Sequence, residues 1–178
     1  MSIYFTHFPA LCPMLLLKLL PFLIRLLKLD RFKCRPLTEG EIQMCHSVFG
    51  TRIDYSKVHV MNHPFLPWQP KHILMAPVGY VHVRNILFKE DYSKENASFR
   101  AVFIHEMTHI FQHQHGINVV LRGAILQTAY FLSFGKYNPY QYTYIPGKSF
   151  WHYNIEQQGD IARDIYLKKI PNIIQELE

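Results

Sequence analysis

Five consecutive residues, His105-Glu106-Met107-Thr108-His109, have the residue types and the spacing of a zinc-binding motif. A four-residue step on an α-helix turns by only ~40° and rises by roughly 6 Å, so His105 and His109 lie on one face. Their ring nitrogens can converge on one zinc ion, which accepts imidazole nitrogen and tolerates an open fourth position. Glu106 points to one side of this pair, so it can act as a general base toward a water at the metal. The motif predicts metal-assisted hydrolysis of a peptide bond.

The residues around the motif favour one continuous helix. Residues 99–115 contain no Pro or Gly. Asn96 or Ser98 suits the N-cap, and Gly116 stands where a glycine would end the helix. The apolar side chains recur at helical spacing, at Phe99, Val102, Phe103, Ile110 and Phe111.

A downstream segment, Asn154-Ile155-Glu156-Gln157-Gln158-Gly159-Asp160, resembles the second helix of the gluzincins, the thermolysin-like zinc peptidases. In that family an N-E-x-x-x-D segment supplies a glutamate ligand, and the aspartate supports the first ligand histidine. The resemblance implies that Glu156 is the third zinc ligand and that Asp160 orients His105. The chain departs from the family pattern because Ile155 separates the asparagine from the glutamate. The alternative for Asp160 is that its carboxylate lies in solvent on the helix surface and does not orient His105.

A rival pattern ends at His115, which follows His109 at the spacing of the metzincin motif H-E-x-x-H-x-x-G-x-x-H. The glycine of that motif is replaced by Gln112, and the last methionine of the chain is Met107, so no downstream Met-turn exists. These departures favour a surface or capping role for His115 near the helix C-terminus. His113 continues the four-residue series from His109 and is interpreted as peripheral.

Several segments together resemble a bacterial toxin family, namely residues 37–42, 48–50, 53–58, 103–109 and 153–158. The family is the zinc metallopeptidase domain fused to, or carried by, VgrG and Rhs proteins of type VI secretion systems. The resemblance covers about residues 36–168. It implies an effector injected into rival bacteria and held in check by an immunity protein.

The composition limits the classes of function. The chain has 178 residues, of which 49% are hydrophobic, so one globular domain with a real core is expected. Its charge of +6 is spread out, and no basic run with interleaved aromatic residues predicts nucleic-acid binding. The three cysteines, Cys12, Cys34 and Cys45, fit no C-x-x-C or zinc-knuckle spacing and imply no disulfide framework.

Residues 11–29 are rich in leucine but contain Lys18, Pro21, Arg25 and Lys28. They lack the basic start, unbroken apolar core and small-residue cleavage site of a signal peptide, and the charges disfavour a transmembrane helix. On a helical projection the four interrupting residues share one side, which predicts a basic amphipathic helix. Two interpretations remain open: contact with a membrane or a secretion carrier, and packing against the protease domain.

We therefore expect an N-terminal basic amphipathic segment, residues 1–35, and a zinc metallopeptidase domain, residues 36–178. Synthesis in the bacterial cytoplasm without a signal peptide is expected, followed for an effector by action in the periplasm of the target cell.

Further elements are predicted around the motif. A capping box of Thr38 and Glu41 opens a helix within residues 36–50, and residues 117–134 form a strongly apolar helix. Residues 58–61, 73–75 and 80–83 are predicted strands, and the Val81 segment could pair with substrate backbone. A tyrosine-rich loop, residues 137–144, precedes the Glu156 segment. The candidate donors to an oxyanion are Tyr144 first, then Tyr142, His152 and Tyr153.

The sequence thus predicts an α+β, zincin-like metallopeptidase domain, helix-rich with a small sheet. Zn²⁺ would be held by His105, His109 and Glu156, with Glu106 as the general base and a protein or peptide as the substrate. Two alternatives remain open. One is a housekeeping or processing metallopeptidase, and the other is a membrane-associated adaptor with a vestigial zinc site.

Overall fold

The computed structural model describes residues 11–27 and 29–176. Within these residues the architecture is helix-rich with one small sheet, an α+β arrangement, as the sequence predicted. The helices are α1 (Leu11–Leu26), α2 (Glu39–Phe49), α3 (Ala97–Gln114), α4 (Val119–Leu132) and α5 (Ile155–Tyr166). The strands are β1 (Cys34–Pro36), β2 (His59–Met61) and β3 (Tyr80–His82).

The chain divides into two compact units between Lys33 and Cys34. The first contains α1, so the predicted helix within residues 11–29 is confirmed as far as Leu26. Arg25 lies in the last turn of α1 and is exposed, whereas Lys28 lies outside the described residues. Across the described part of the chain, every helix is too short or too polar to span a bilayer.

The sheet of the second unit has the order β1-β2-β3. β1 pairs with β2 antiparallel, and β2 pairs with β3 parallel, with Val60 opposite Val81. The predicted strand at residues 73–75 is wrong, because only Met75 pairs, through an isolated antiparallel bridge to His82. Pairing does not extend, since the Ile73 carbonyl accepts a hydrogen bond from the Gln69 side chain and Pro77 has no N–H to donate.

The predicted capping box of α2 is confirmed. Thr38 Oγ1 accepts the N–H of Glu41, and the Glu41 carboxylate accepts the N–H of Thr38. Glu41 is fully buried, and two hydrogen bonds from Arg35, of 2.7 and 2.8 Å, neutralise its charge. A third donor is the N–H of Tyr92 at 2.8 Å. This buried carboxylate therefore joins β1, α2 and the segment before α3.

The hydrophobic core surrounds α3, which packs against α5 and the sheet. Of the two predicted N-cap candidates of α3, Asn96 is the one that caps the helix. Gly116 has a φ of +79° just beyond its end, as the sequence predicted. Phe103, Ile110 and Phe111 are fully buried. Val102 is not a core residue: its side chain is 43% exposed because it lines a cavity beside the histidine motif.

Candidate metal centre

Helices α3 and α5 bring the motif and Glu156 together. Asn154 is the N-cap of α5, and its side chain accepts the N–H groups of Glu156 and Gln157. Ile155, which separates asparagine from glutamate in the sequence, is the first helical residue and is buried. The departure from the gluzincin pattern therefore leaves Glu156 in the first turn of the helix, directed toward α3.

Three side-chain atoms converge between the two helices. The Nε2 atoms of His105 and His109 lie 3.4 and 3.7 Å from Oε2 of Glu156. All three donor atoms lie within 4.8 Å of one another, and among the described residues no other cluster of His, Cys, Asp and Glu meets this condition. Donors on one tetrahedral zinc, each at about 2.0–2.1 Å, are about 3.3–3.4 Å apart. The donor set fits a zinc ion, and the two histidine–glutamate distances are close to this spacing.

The outer nitrogen of each histidine is held by a different partner. Nδ1 of His105 lies 3.0 Å from Oδ1 of Asp160, which also accepts a 2.6 Å hydrogen bond from Arg163. A carboxylate at this position accepts the Nδ1–H of the imidazole and leaves Nε2 free for a metal. Asp160 is buried, so it is not the solvated surface carboxylate that the sequence left open.

His109 is held by an amide network that the sequence analysis missed. Its Nδ1 lies 2.9 Å from Oε1 of Gln112, and the Gln112 amide donates to the Ile155 carbonyl and to the Gln158 side chain. Gln158 in turn donates to the Tyr153 carbonyl at 2.8 Å. Both glutamines are buried. The available signal was the spacing, because a residue three positions after His109 lies on the same helix face.

Gly159 allows α5 to approach the motif closely. A Cβ atom at this position would lie 2.6–2.7 Å from three atoms of the His105 ring. Any side chain would therefore displace the first histidine of the motif. Gly159 is part of the segment that resembles the second gluzincin helix, but nothing in the sequence indicated this steric role.

Glu106 is buried beside the cluster without belonging to it. Burial, followed by the nearby charge of Glu156, raises the pKa of its carboxyl to about 6, although the two histidines and the backbone N–H of Ala76 oppose this rise. A buried carboxyl with this pKa can both accept and release a proton near neutrality.

The remaining pKa shifts show that the cluster attracts positive charge. Burial disfavours the charged form of His105, but hydrogen bonds to Asp160 and Glu156 outweigh it and raise its pKa to about 10. Burial likewise opposes charge on His109, and Glu156 raises its pKa above the usual value. Burial would raise the pKa of Glu156, yet the two histidines hold it far below its usual range. A divalent cation would supply the positive charge that protons supply here, with release of those protons.

The cluster opens into a cavity of about 660 Å³. One wall is the segment from Phe65 to Pro77, and another is α4, through Val119, Val120 and Ala124. Tyr140, from the tyrosine-rich loop, lines this cavity, and its ring centroid lies 6.4 Å from that of His105. Burial and the charge of Glu156 raise the Tyr140 pKa to about 12, so the phenol keeps its proton and can donate it in a hydrogen bond.

The four residues predicted as oxyanion donors lie elsewhere. Tyr144 packs against the hydrophobic core, and Tyr142 donates to Asp164 at 2.6 Å. The Tyr153 hydroxyl donates to the Thr143 carbonyl, and His152 is exposed in a short 3₁₀ turn. None of the four lines the cavity, whereas Tyr140, which the sequence did not single out, does.

The two other histidines near the end of α3 are not part of the cluster. His115 is the C-cap residue of α3, and its Nδ1 lies 2.8 Å from the Phe111 carbonyl while its ring lies beside Trp151. His113 is in the last turn of α3, next to Gly79.

Comparison with known proteins identifies a related domain, although no family model matches the chain. Over 136 residues, which are 76% of this chain, the sequence is 46% identical to the type VI secretion system spike protein VgrG2b of Pseudomonas aeruginosa. The match spans only 13% of the length of that spike protein.

The fold is similar to the solved effector domain of Pseudomonas aeruginosa VgrG2b. The TM-score is 0.70 at 44% sequence identity, and the match covers 79% of this chain and 78% of that domain. A likeness of this extent in both sequence and fold reflects common descent rather than a shared architecture alone. The chain therefore belongs to the family of VgrG-associated effector domains that VgrG2b represents.

Proposed function

We propose that this domain is a zinc metallopeptidase with a zincin-like fold and a gluzincin-type site. The main support for the proposal is that Nε2 of His105 and Nε2 of His109 lie 3.4 and 3.7 Å from Oε2 of Glu156. All three residues line one cavity. When bound, a zinc ion would polarise the peptide carbonyl and make a water more acidic. Metal analysis of the purified protein, together with hydrolysis of an unfolded protein substrate, tests this proposal directly.

The side chains have separate roles in this proposal. His105, His109 and Glu156 hold the metal, and Glu106 removes a proton from the attacking water and returns it to the leaving amine. The Ala76 N–H, which donates to Glu106, holds that carboxylate beside the reacting atoms. Tyr140 donates its hydroxyl hydrogen to the oxygen that gains negative charge as water attacks.

The wall of the cavity supplies a backbone edge for the substrate. Val81 is buried in β3, and β3 is covered by β2 on one side and by Met75 on the other, so Val81 is not an open edge. Met75 exchanges both of its backbone hydrogen bonds with His82. Its neighbours therefore direct their backbone groups to the opposite side, toward the cavity. There the N–H and carbonyl of Leu74 and the carbonyl of Ala76 are the groups for a substrate, because the Ala76 N–H already donates to Glu106. We assign substrate pairing to this outer segment, with apolar substrate side chains beside the scissile bond.

In biological terms the domain acts as a type VI secretion effector. The family membership supports delivery on a VgrG-type carrier into a target cell. Action in the periplasm of that cell and control by an immunity protein are further parts of the proposal. Expression in a naive host with and without a periplasmic signal distinguishes this role from housekeeping peptidase activity, since only an effector impairs growth. The Glu106→Gln variant is the matched control, because it keeps the fold and the metal ligands.

Asp160→Ala is expected to have an intermediate phenotype. Asp160 holds the outer nitrogen of His105 at 3.0 Å, so its loss frees the ring to rotate without removing a ligand. Removing such a partner typically costs ~10–100-fold in metal affinity or activity. Titration of zinc into the apo variant measures the change, and excess zinc should restore part of the activity. An affinity equal to that of the wild type would show that Asp160 has no role in holding His105.

Gln112→Met should weaken zinc binding to a similar extent, about 10–100-fold, because Nδ1 of His109 loses its acceptor. Thr108→Val is the matched control: it also removes a buried polar group from α3, one that bonds only to the Ile104 carbonyl. In the metal-free protein, above the raised pKa of His109, nitrogen chemical shifts should show a mixture of its two tautomers in the Gln112 variant only. Equal zinc affinities for the two variants would mean that Gln112 serves stability alone.

A further inference from the structure

Helix α4 is apolar on the side that faces water as well as on the side that faces the protein. Of its residues, only Val119 is buried. Leu121, Ile125 and Leu132 follow one another at helical spacing on the outer face, and all three are exposed. Phe131, in the last turn of α4, is 67% exposed and follows Val120 and Ala124 at helical spacing, on the flank of this face. A helix with large apolar side chains on both faces normally lies in a protein core or in lipid.

The turn after α4 extends this apolar surface. Phe134 is 94% exposed and has a φ of +53°, in the left-handed region that residues with a side chain rarely adopt. This conformation ends α4, because the Gly135 N–H donates to the Tyr130 carbonyl at 2.9 Å, and it directs the Phe134 side chain into solvent. We use the term outer α4 surface for the set formed by Leu121, Ile125, Phe131, Leu132 and Phe134.

The charged residues in the segment of the chain that forms this surface are all basic. No Asp or Glu occurs in residues 107–155, whereas Arg122 and Lys136 flank the outer α4 surface and are exposed. Tyr130 and Tyr137, also exposed, lie near its end. Apolar and aromatic side chains bordered by basic residues are the composition of surfaces that bind the interface of an anionic membrane.

We propose that the outer α4 surface docks the domain on an anionic lipid bilayer. A second copy of the chain fits less well, because a symmetric contact would bring two sets of Arg122 and Lys136 together without acidic residues from the same segment. An anionic bilayer offers a hydrocarbon region for the apolar side chains and negatively charged headgroups for Arg122 and Lys136. Because Val119, Val120 and Ala124 of the same helix line the cavity, docking brings the candidate active site to the membrane surface.

Vesicle co-sedimentation of the whole chain tests the proposal. The protein should bind vesicles of phosphatidylethanolamine and phosphatidylglycerol, and bind weakly to vesicles of phosphatidylcholine alone. Added salt should weaken the binding, because it screens Arg122 and Lys136. The double variant Phe131→Ser with Phe134→Ser should lower the partition coefficient about tenfold or more, as two aromatic side chains no longer enter the bilayer. Both side chains lie outside the cavity, so hydrolysis of a soluble peptide should not change.

Two matched controls separate this surface from others. Ile86→Ser removes a side chain that is also 67% exposed but lies in a different segment, and it should leave binding unchanged. Leu26→Ser with Leu27→Ser removes exposed leucines at the end of α1. If that variant or Ile86→Ser loses as much binding as the phenylalanine variant does, or if the wild type ignores anionic vesicles, the proposal is overturned.

A tryptophan at position 134 reports insertion directly. Phe134→Trp fluorescence, after subtraction of the wild-type signal, should shift to the blue on addition of anionic vesicles and be quenched by brominated lipids. A blue shift that depends on protein concentration in the absence of lipid would instead assign the surface to contacts between copies, which sedimentation would reveal as a dimer.

Discussion

Glu106→Gln is expected to abolish hydrolysis while the protein keeps its zinc. The amide has nearly the size of the carboxylate but cannot take a proton from the attacking water. General-base catalysis contributes about 10²–10⁴-fold, so kcat/KM should fall by at least this factor. Metal content should stay at the wild-type value, because Glu106 lies beside the cluster of His105, His109 and Glu156 and not within it.

The measurement pairs peptide hydrolysis with metal analysis on the same preparation. His105→Ala and His109→Ala serve as comparisons, since each removes a ring nitrogen from the cluster and should lose both zinc and activity. If Glu106→Gln loses zinc to the same extent, Glu106 is a ligand and its assignment as general base is wrong. If it keeps both zinc and activity, another group activates the water.

Glu156→Ala should lose zinc binding by more than the ~10–100-fold expected for removal of an outer hydrogen-bond partner. Its Oε2 is the atom on which the Nε2 atoms of both histidines converge, at 3.4 and 3.7 Å. Without it only the two imidazoles of α3 remain, and two ligands do not complete a zinc site. Isothermal titration of zinc into apo protein measures the loss.

His115→Ala is the matched control for this prediction. His115 supplies the alternative ligand in the metzincin pattern, yet in the structure its ring packs against Phe111 and Trp151 at the end of α3. Zinc affinity should therefore equal that of the wild type, with at most a small loss of stability. A large loss of zinc from His115→Ala, with Glu156→Ala unaffected, would reverse the assignment of the third ligand.

The local features of the chain follow from the sequence because they depend on residues close together. The helix of the motif, its Asn96 cap, its terminal Gly116 and the Thr38–Glu41 capping box are found where they were predicted. Each depends on hydrogen bonds that span three or four residues and on the backbone freedom of one glycine. The pairing of His105 with His109 on one helix face is of the same kind.

Contacts between distant segments could not be derived in this way. The strand predicted at residues 73–75 is a single bridge at Met75, because the Gln69 side chain donates a hydrogen bond to the Ile73 carbonyl. Val102 has the helical spacing of a core residue but faces the cavity, since spacing assigns a face of a helix and not what that face meets.

The sequence by itself determined that the ring nitrogens of His105 and His109 can meet on one face of a helix, because residue type and helical spacing fix their relative positions. Only the tertiary structure decided what holds those atoms. The crossing of α3 and α5 places Asp160 on His105 and the Gln112 amide on His109, and the absence of a side chain at Gly159 allows that crossing. It also decided which tyrosine faces the cavity, Tyr140 in place of Tyr144. The orientation of a loop depends on packing against residues far away in the chain, and no local pattern encodes it.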